Sequence, residues 1–162
     1  LQKMAFVYGI ALTEAFTKEY LQLVFVSRPE TIKSGKKITF EEVLSYGNTQ
    51  ELRRGLAEKE VVSVSYKSVD ALAEYLNYKF NLCLGEDLEW WRTFREAHYR
   101  RNLLVHNRGV VNEIYAAKVP DSPELGESLS VSHRYLDQAL DSLRSFAALL
   151  HSSLVDKFGA MK

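Results

Sequence analysis

From Ser130 to Phe158 the chain carries one unbroken apolar stripe. Leu136, Leu140, Leu143, Ala147, Leu150, Leu154 and Phe158 recur at three- and four-residue steps. That period lines one face of an α-helix and scatters over both faces of a strand. At 1.5 Å per residue the helix is roughly 40 Å long, and Gly159 follows as its stop. An amphipathic helix of this length needs partners for its apolar side. The chain has room for them, because only three prolines interrupt its 162 residues, at Pro29, Pro120 and Pro123, and proline is the strongest break in a helical run.

The remaining segments read the same way. Leu1 to Val26 is apolar on more than one side (Met4, Val7, Ile10, Leu12, Phe16, Leu23, Phe25), which predicts a well-buried helix ending before Pro29. Thr39-Phe40-Glu41-Glu42 has capping-box spacing and opens a short helix. Gly47-Asn48 breaks it, and Asn48 with Glu51 opens another that carries Leu52 and Leu56. Ser68 caps a helix on which Val69, Leu72, Leu76, Phe80 and Cys83 share a face, with Gly85 as its stop. A further helix is expected from Glu86 to His106. Glu86, Asp87 and Glu89 occupy its first turn and Arg95, Arg100 and Arg101 its later turns, an order that suits the helix dipole. Asn107-Arg108-Gly109 ends it. Asn112 to Lys118 reads as one short helix and Pro120 to Ser128 as a loop. Val61 to Tyr66 alternates like a strand, but no partner strand is in sight, so an extended connection or a frayed helix end is expected there. The sum, over residues 1–162, is one all-α antiparallel helical bundle of about five main helices plus short ones.

Composition narrows the function. Hydrophobic residues are 46% and charged residues 26%, a globular balance that argues against disorder and fibrous repeats. Lys and Arg number 21, and so do Asp and Glu, so no overall charge draws the chain to nucleic acid or a membrane. Any such contact needs a local patch. The single Cys83 excludes an internal disulfide and a cysteine-based zinc site. It is compatible with a reducing compartment, and the cytoplasm is the expected location. The most apolar run, Met4 to Val26, is interrupted by Glu14, Lys18 and Glu19, so no membrane span is expected. Lys33 to Lys37 is basic and holds a glycine, but it lacks the spacing, the preceding strand and the hydroxyl residue of a phosphate-binding loop. It reads as a mobile basic turn, and neither a cofactor nor a metal is expected. The chain begins at Leu1 rather than methionine, as a trimmed chain or a piece of a longer protein would.

One stretch carries chemistry. Arg100-Arg101-Asn102-Leu103-Leu104-Val105-His106-Asn107-Arg108-Gly109 sets arginines, amides and a histidine around the end of one helix. Between Arg92 and Arg108 lie Arg92, Arg95, Arg100, Arg101 and Arg108, with His98 and His106, against one acid, Glu96. Arginine suits phosphate because its planar fork holds two oxygens at once. Asn102 and His106 share a helix face. Arg101 and His106 are about 140° apart around an ideal helix and some 7.5 Å along it, an offset that a long side chain and a loosened last turn can bridge to one phosphate. Leu103, Leu104 and Val105 are expected to hold the turn against the bundle. Histidine moves protons near neutral pH, and cationic groups stabilise a crowded phosphorus transition state. RNA brings its own nucleophile, the 2′-hydroxyl. One chain supplies one such histidine, and a two-fold dimer would supply both acid and base. Arg100, Arg108, Asn107 and Arg95 are the further candidates for RNA or phosphate contact.

The run Arg101-Asn102-Leu103-Leu104-Val105-His106, followed by Asn107-Arg108-Gly109-Val110-Val111-Asn112, closely resembles the core motif of the HEPN superfamily (higher eukaryotes and prokaryotes nucleotide-binding). That motif is an arginine, a polar residue often Asn, a short spacer and a histidine late in a long helix. The resemblance covers roughly 15 residues and implies a five-helix bundle, a homodimer and a metal-independent RNase of the toxin or phage-defence type, with RNA as substrate and, in toxin systems, a cognate antitoxin or further domains. It implies that Arg101 and His106 are the catalytic pair and that Asn102 orients them or contacts phosphate. Some members of that family lack nuclease activity and serve as interaction modules, so a non-catalytic module that dimerises and binds RNA, a nucleotide or a partner is the alternative.

Each residue also has a plainer reading. His106 at a helix end satisfies last-turn carbonyls, Asn102 bonds backbone, and Arg101 forms a salt bridge, with Asp137 or Asp141 of the last helix as expected acids. His98 reads as a core or cleft-lining histidine. Trp90 is expected in the core with Phe94, and Trp91 at a dimer contact. His133 and His151 show no partners in the sequence.

Overall fold

A computed structural model describes residues 1–32 and 37–159 of the chain. Among the described residues seven α-helices follow one another: α1 (Gln2–Ser27), α2 (Phe40–Leu44), α3 (Thr49–Ser65), α4 (Val69–Phe80), α5 (Trp91–His106), α6 (Glu113–Lys118) and α7 (His133–Phe158). A 3-10 turn, Pro29–Ile32, lies between α1 and α2. Among the described residues there is no strand, only an isolated antiparallel bridge between Val110 and Ser128. The fold is all-α, with five long helices and two short ones. No helix among the described residues is long and apolar enough to cross a membrane. The Lys33 to Lys37 turn lies outside the described residues apart from Lys37, which is exposed.

Local chemistry sets the helix starts. The side chains of Thr39, Asn48, Ser68, Asn112 and Ser132 each accept a hydrogen bond from a backbone N–H of the first turn of α2, α3, α4, α6 and α7. α1 and α7 pack side by side, α1 also meets α3 and α5, and α5 touches α4, α6 and α7. Gly9 permits the close approach of α1 to α7, since a Cβ there would lie 2.9 Å from Leu140 Cδ2. Phe6, Ile10, Leu21, Val24 and Phe25 of α1 are fully buried. The Phe94 ring of α5 stacks on Phe146 of α7 at 4.6 Å between centroids, so α5 enters the middle of the core.

Several expectations need correction. α1 is not buried all round: Met4, Tyr8, Leu12 and Leu23 stay exposed along its outer side. Val61 to Ser65 belongs to α3, with Val61 and Val64 buried and Val62 exposed, a helical pattern. α4 stops at Asn81, which adopts the left-handed conformation (φ 60°), so Cys83 lies beyond the helix. The cause is Asn77, whose side chain donates to the Leu84 carbonyl and accepts from the Leu84 N–H, both at 2.7 Å, and so ties down the following chain. α5 begins at Trp91, because Gly85 to Trp90 forms hydrogen-bonded turns. Trp91 is buried beside Phe94 instead of lying at a surface contact.

Candidate active site

The last turn of α5 holds the motif. Leu103 and Leu104 are buried and fix the turn, whereas Val105 is half exposed and does not help to hold it. The helix is closed by backbone bonds from the Asn107 and Gly109 N–H groups to the Leu103 carbonyl, each 2.8 Å. The Asn107 side chain donates to the Val110 carbonyl at 2.6 Å, so it braces the helix stop. Arg108 and Gly109 both have positive φ, 55° and 83°. Glycine is required at the second position, since a Cβ on Gly109 would meet the Leu129 carbonyl oxygen at 2.9 Å. Beyond it the Leu129 N–H bonds to the Gly109 carbonyl and the Val111 N–H to the Glu127 carbonyl, so the run from 109 to 111 is stitched to 127–129.

On this frame His106 and Asn102, one helical turn apart, line one open hollow together with Tyr99, Asn107 and Asn112. His106, Asn102 and Arg108 are all exposed. Arg101 opens on a neighbouring hollow with Glu14, Lys67 and His98. The two hollows share Ser68, Tyr99 and Asn102. Asn102 therefore stands where the two depressions meet, with Arg101 on one side and His106 on the other.

Arg101 is held from two directions. Its Nη2 donates to Glu14 Oε2 on α1 at 3.0 Å, and its Nη1 donates to Asn102 Oδ1 at 3.0 Å. Its partner acid is thus Glu14, not Asp137 or Asp141, because the side of α5 that carries Arg101 meets α1. The Arg101 Nε–H is buried and has no hydrogen-bond partner among the described residues. The guanidinium is consequently paired, but only in part.

The other arginines of the segment differ. Arg95 forks onto Asp70, with Nε 2.6 Å from Oδ1 and Nη2 3.1 Å from Oδ2, and its Nη1 donates to the Lys118 carbonyl. Tyr99 donates to the same carboxylate. The Arg95 guanidinium, together with these bonds, holds the Asp70 carboxyl down at about 2. Arg100 bonds Glu96 at 2.7 Å and the Ser130 carbonyl at 3.0 Å, and lies 3.8 Å over the Tyr135 ring. Glu96 also accepts hydrogen bonds from Tyr115 and Tyr135. Burial and this carboxylate push both phenols well above their ordinary value. The dense basic patch of the sequence is therefore neutralised in part: Asp70, Glu96 and Glu14 pair Arg95, Arg100 and Arg101, while Arg92 and Arg108 are exposed.

The remaining histidines have partners. His98 lines the Arg101 hollow, its Nδ1 is 2.8 Å from the Phe94 carbonyl, and burial lowers its pKa below the ordinary histidine value. His133 bonds Gln2, and His151 bonds Tyr20. Among the described residues no three His, Cys, Asp or Glu side chains converge as metal ligands. Sequence reasoning missed Glu14, whose partner lies on a distant helix, and Tyr99, which borders both hollows. Compared with models of known families, with curated proteins and with solved structures, the chain matches none.

Proposed function

We propose that the chain is a HEPN-type endoribonuclease that needs no metal ion and acts as a homodimer. The observation that supports this reading is the pairing of Asn102 and exposed His106 in one open hollow, with the Arg101 guanidinium hydrogen-bonded to Asn102 at its border. An imidazole, an amide and a guanidinium on one turn and a half of helix match the three needs of RNA cleavage: a proton acceptor, an orienting group and positive charge. In the proposed reaction the imidazole of one copy takes the 2′-hydroxyl proton. The 2′-oxygen attacks phosphorus, the bond to the 5′-oxygen breaks, and the imidazolium of the second copy or a water protonates that leaving oxygen. The products are a 2′,3′-cyclic phosphate and a free 5′-hydroxyl. Arg101 neutralises charge on the phosphorane-like transition state, and exposed Arg108 holds a flanking phosphate.

The test is purified chain with mixed-sequence RNA in excess EDTA. Cleavage with cyclic-phosphate ends is expected, and His106→Ala should lower the rate by about 10² to 10⁴. Absence of cleavage, or equal cleavage by the variant, removes the proposal. A second reading, a non-catalytic module that dimerises and binds RNA, a nucleotide or a partner protein, draws its support from the Arg101–Glu14 pair, which engages the guanidinium inside the chain. RNA binding without turnover would select it. In the first reading the chain serves as a toxin or defence nuclease of the cytoplasm, and a cognate antitoxin would cover the His106 hollow.

A further inference from the structure

Among the described residues nothing covers the outer side of α1. Met4, Tyr8, Leu12 and Leu23 keep 74%, 65%, 51% and 53% of their surface exposed, and Ala5, Ala11 and Ala15 are exposed beside them. At about 100° per residue these positions fall within an arc of about 120°. The buried residues Phe6, Ile10, Thr13, Thr17, Leu21 and Val24 lie on the opposite side of the helix. The outer arc holds one charged side chain, Glu19, and one amide, Gln22. A helix that is apolar on both sides is ordinarily buried on both. An exposed apolar face that runs most of the length of a 26-residue helix marks an interaction surface.

The order of side chains along the arc fits a second copy of itself. Turn the helix end for end about a two-fold axis that passes between Ala11 and Leu12. Tyr8 then shares a layer with the partner's Ala15, and Leu12 with the partner's Ala11. Four successive layers each set a large side chain beside a small one, which lets two antiparallel helices interdigitate at close range. Glu19 falls at the level of the partner's Met4, and the two Glu19 carboxylates stay about 22 Å apart along the seam, so pairing brings no like charges together. A lipid surface is a poorer match, because interfacial helices place bulky apolar groups beside lysine and arginine, and the arc has neither lysine nor arginine. Packed along its length, the face buries roughly 600 Å² of each copy and roughly 1,200 Å² in all, above the about 1,000 Å² expected of a specific interface.

We propose that the outer face of α1 is the seam of a two-fold dimer, in which α1 of one copy lies antiparallel on α1 of the other with Ala11 and Leu12 at the axis. The ribonuclease reading asks for two copies without saying which face joins them, and this face is read from α1 alone. Analytical ultracentrifugation of the chain at micromolar concentration is expected to show a dimer. Leu12→Glu and, separately, Ala15→Glu should raise the dissociation constant at least about 100-fold, since each substitution enters the contact twice. Both positions are exposed, so far-UV circular dichroism should stay at the wild-type value, and either variant serves if the other does not fold. In a Cys83→Ser background, Tyr8→Cys chain mixed with Ala15→Cys chain should crosslink on oxidation, while Tyr8→Cys alone should not, because its two copies lie about 10 Å apart along the seam. A wild-type monomer overturns the proposal and leaves the face to another segment or partner. A dimer that survives both glutamates, or a mixture that fails to crosslink, overturns it as well. No RNA enters these measurements. A dimer without RNase activity would keep the seam and discard the nuclease, and a monomeric Leu12→Glu chain that still cleaves RNA would keep the seam and discard the two-copy mechanism.

Discussion

Arg95 and Arg101 lie on the same helix, and the protein treats their guanidinium groups differently. Arg95 meets Asp70 through two nitrogens, and a third reaches the Lys118 carbonyl. Arg101 makes one carboxylate contact, to a Glu14 side chain that keeps 40% of its surface exposed, and one amide contact, and its buried Nε–H has no acceptor among the described residues. A donor left unmatched inside a protein costs free energy, and a lone exposed carboxylate contributes little to stability. The first arrangement is what a structural ion pair looks like. The second holds a guanidinium at the wall of one hollow by single contacts, to a half-exposed carboxylate and to an exposed amide, and so commits it less firmly to the fold.

The contrast can be broken by mutation. The largest effect on folding is expected at Glu96, which joins α5 to α6 and α7 through Tyr115, Tyr135 and Arg100. Glu96→Ala leaves Arg100 without its carboxylate and two phenols without acceptors, and should cost about 3 kcal/mol in chemical denaturation. An unchanged midpoint would show that this hub does not cement the helices. Next comes the Asp70 cluster. Its carboxyl is depressed from 3.8 to about 2 in the folded chain, so the ionised form stabilises the fold above the unfolded-state pKa. That contribution should fade as pH falls from about 5 toward 2. Asp70→Asn should lower stability at pH 7 and flatten the acid limb of the stability profile, and an acid limb identical to wild type would contradict the assignment. Smallest in folding terms is Arg101→Ala, expected to shift stability by less than about 1 kcal/mol while abolishing most RNA cleavage. If it instead unfolds the chain like Glu96→Ala, Arg101 belongs with Arg95 as a structural residue and the comparison collapses.

Much of the architecture was legible before any coordinates. Thr39, Asn48 and Ser68 cap helices because their short polar side chains act within three residues, a range that sequence spacing captures, whereas the last helix, expected from Ser130, is capped by Ser132 and starts at His133. The stripe of α7 was equally plain, since Leu143, Leu150 and Leu154 all face the core. The boundaries that misled have local causes that spacing hides. Val62, Val64 and Tyr66 alternate like a strand, yet over so short a run a helix with buried Val61 and Val64 gives the same letters. The acids at Glu86, Asp87 and Glu89 imitate a helical first turn, while the Asn77 clamp on Leu84 decides where the chain goes. At the candidate site, the shared hollow of Asn102 and His106 follows from their one-turn spacing. The acid for Arg101 did not, because Glu14 is brought in by tertiary packing of α1 on α5, for which no local signal exists.

The stitching of 109–111 to 127–129 has a consequence for how this corner of the protein can vary. Leu129 bonds the Gly109 carbonyl directly behind the histidine turn, so the backbone that carries the imidazole is placed by a brace that does not involve its ring. Side chains at 102 and 106 are therefore open to replacement without moving the scaffold, whereas position 109 is closed to any residue bearing a Cβ. Diversity in the chemistry of this corner would come from swapping the exposed groups, and its geometry would survive as long as that one glycine does.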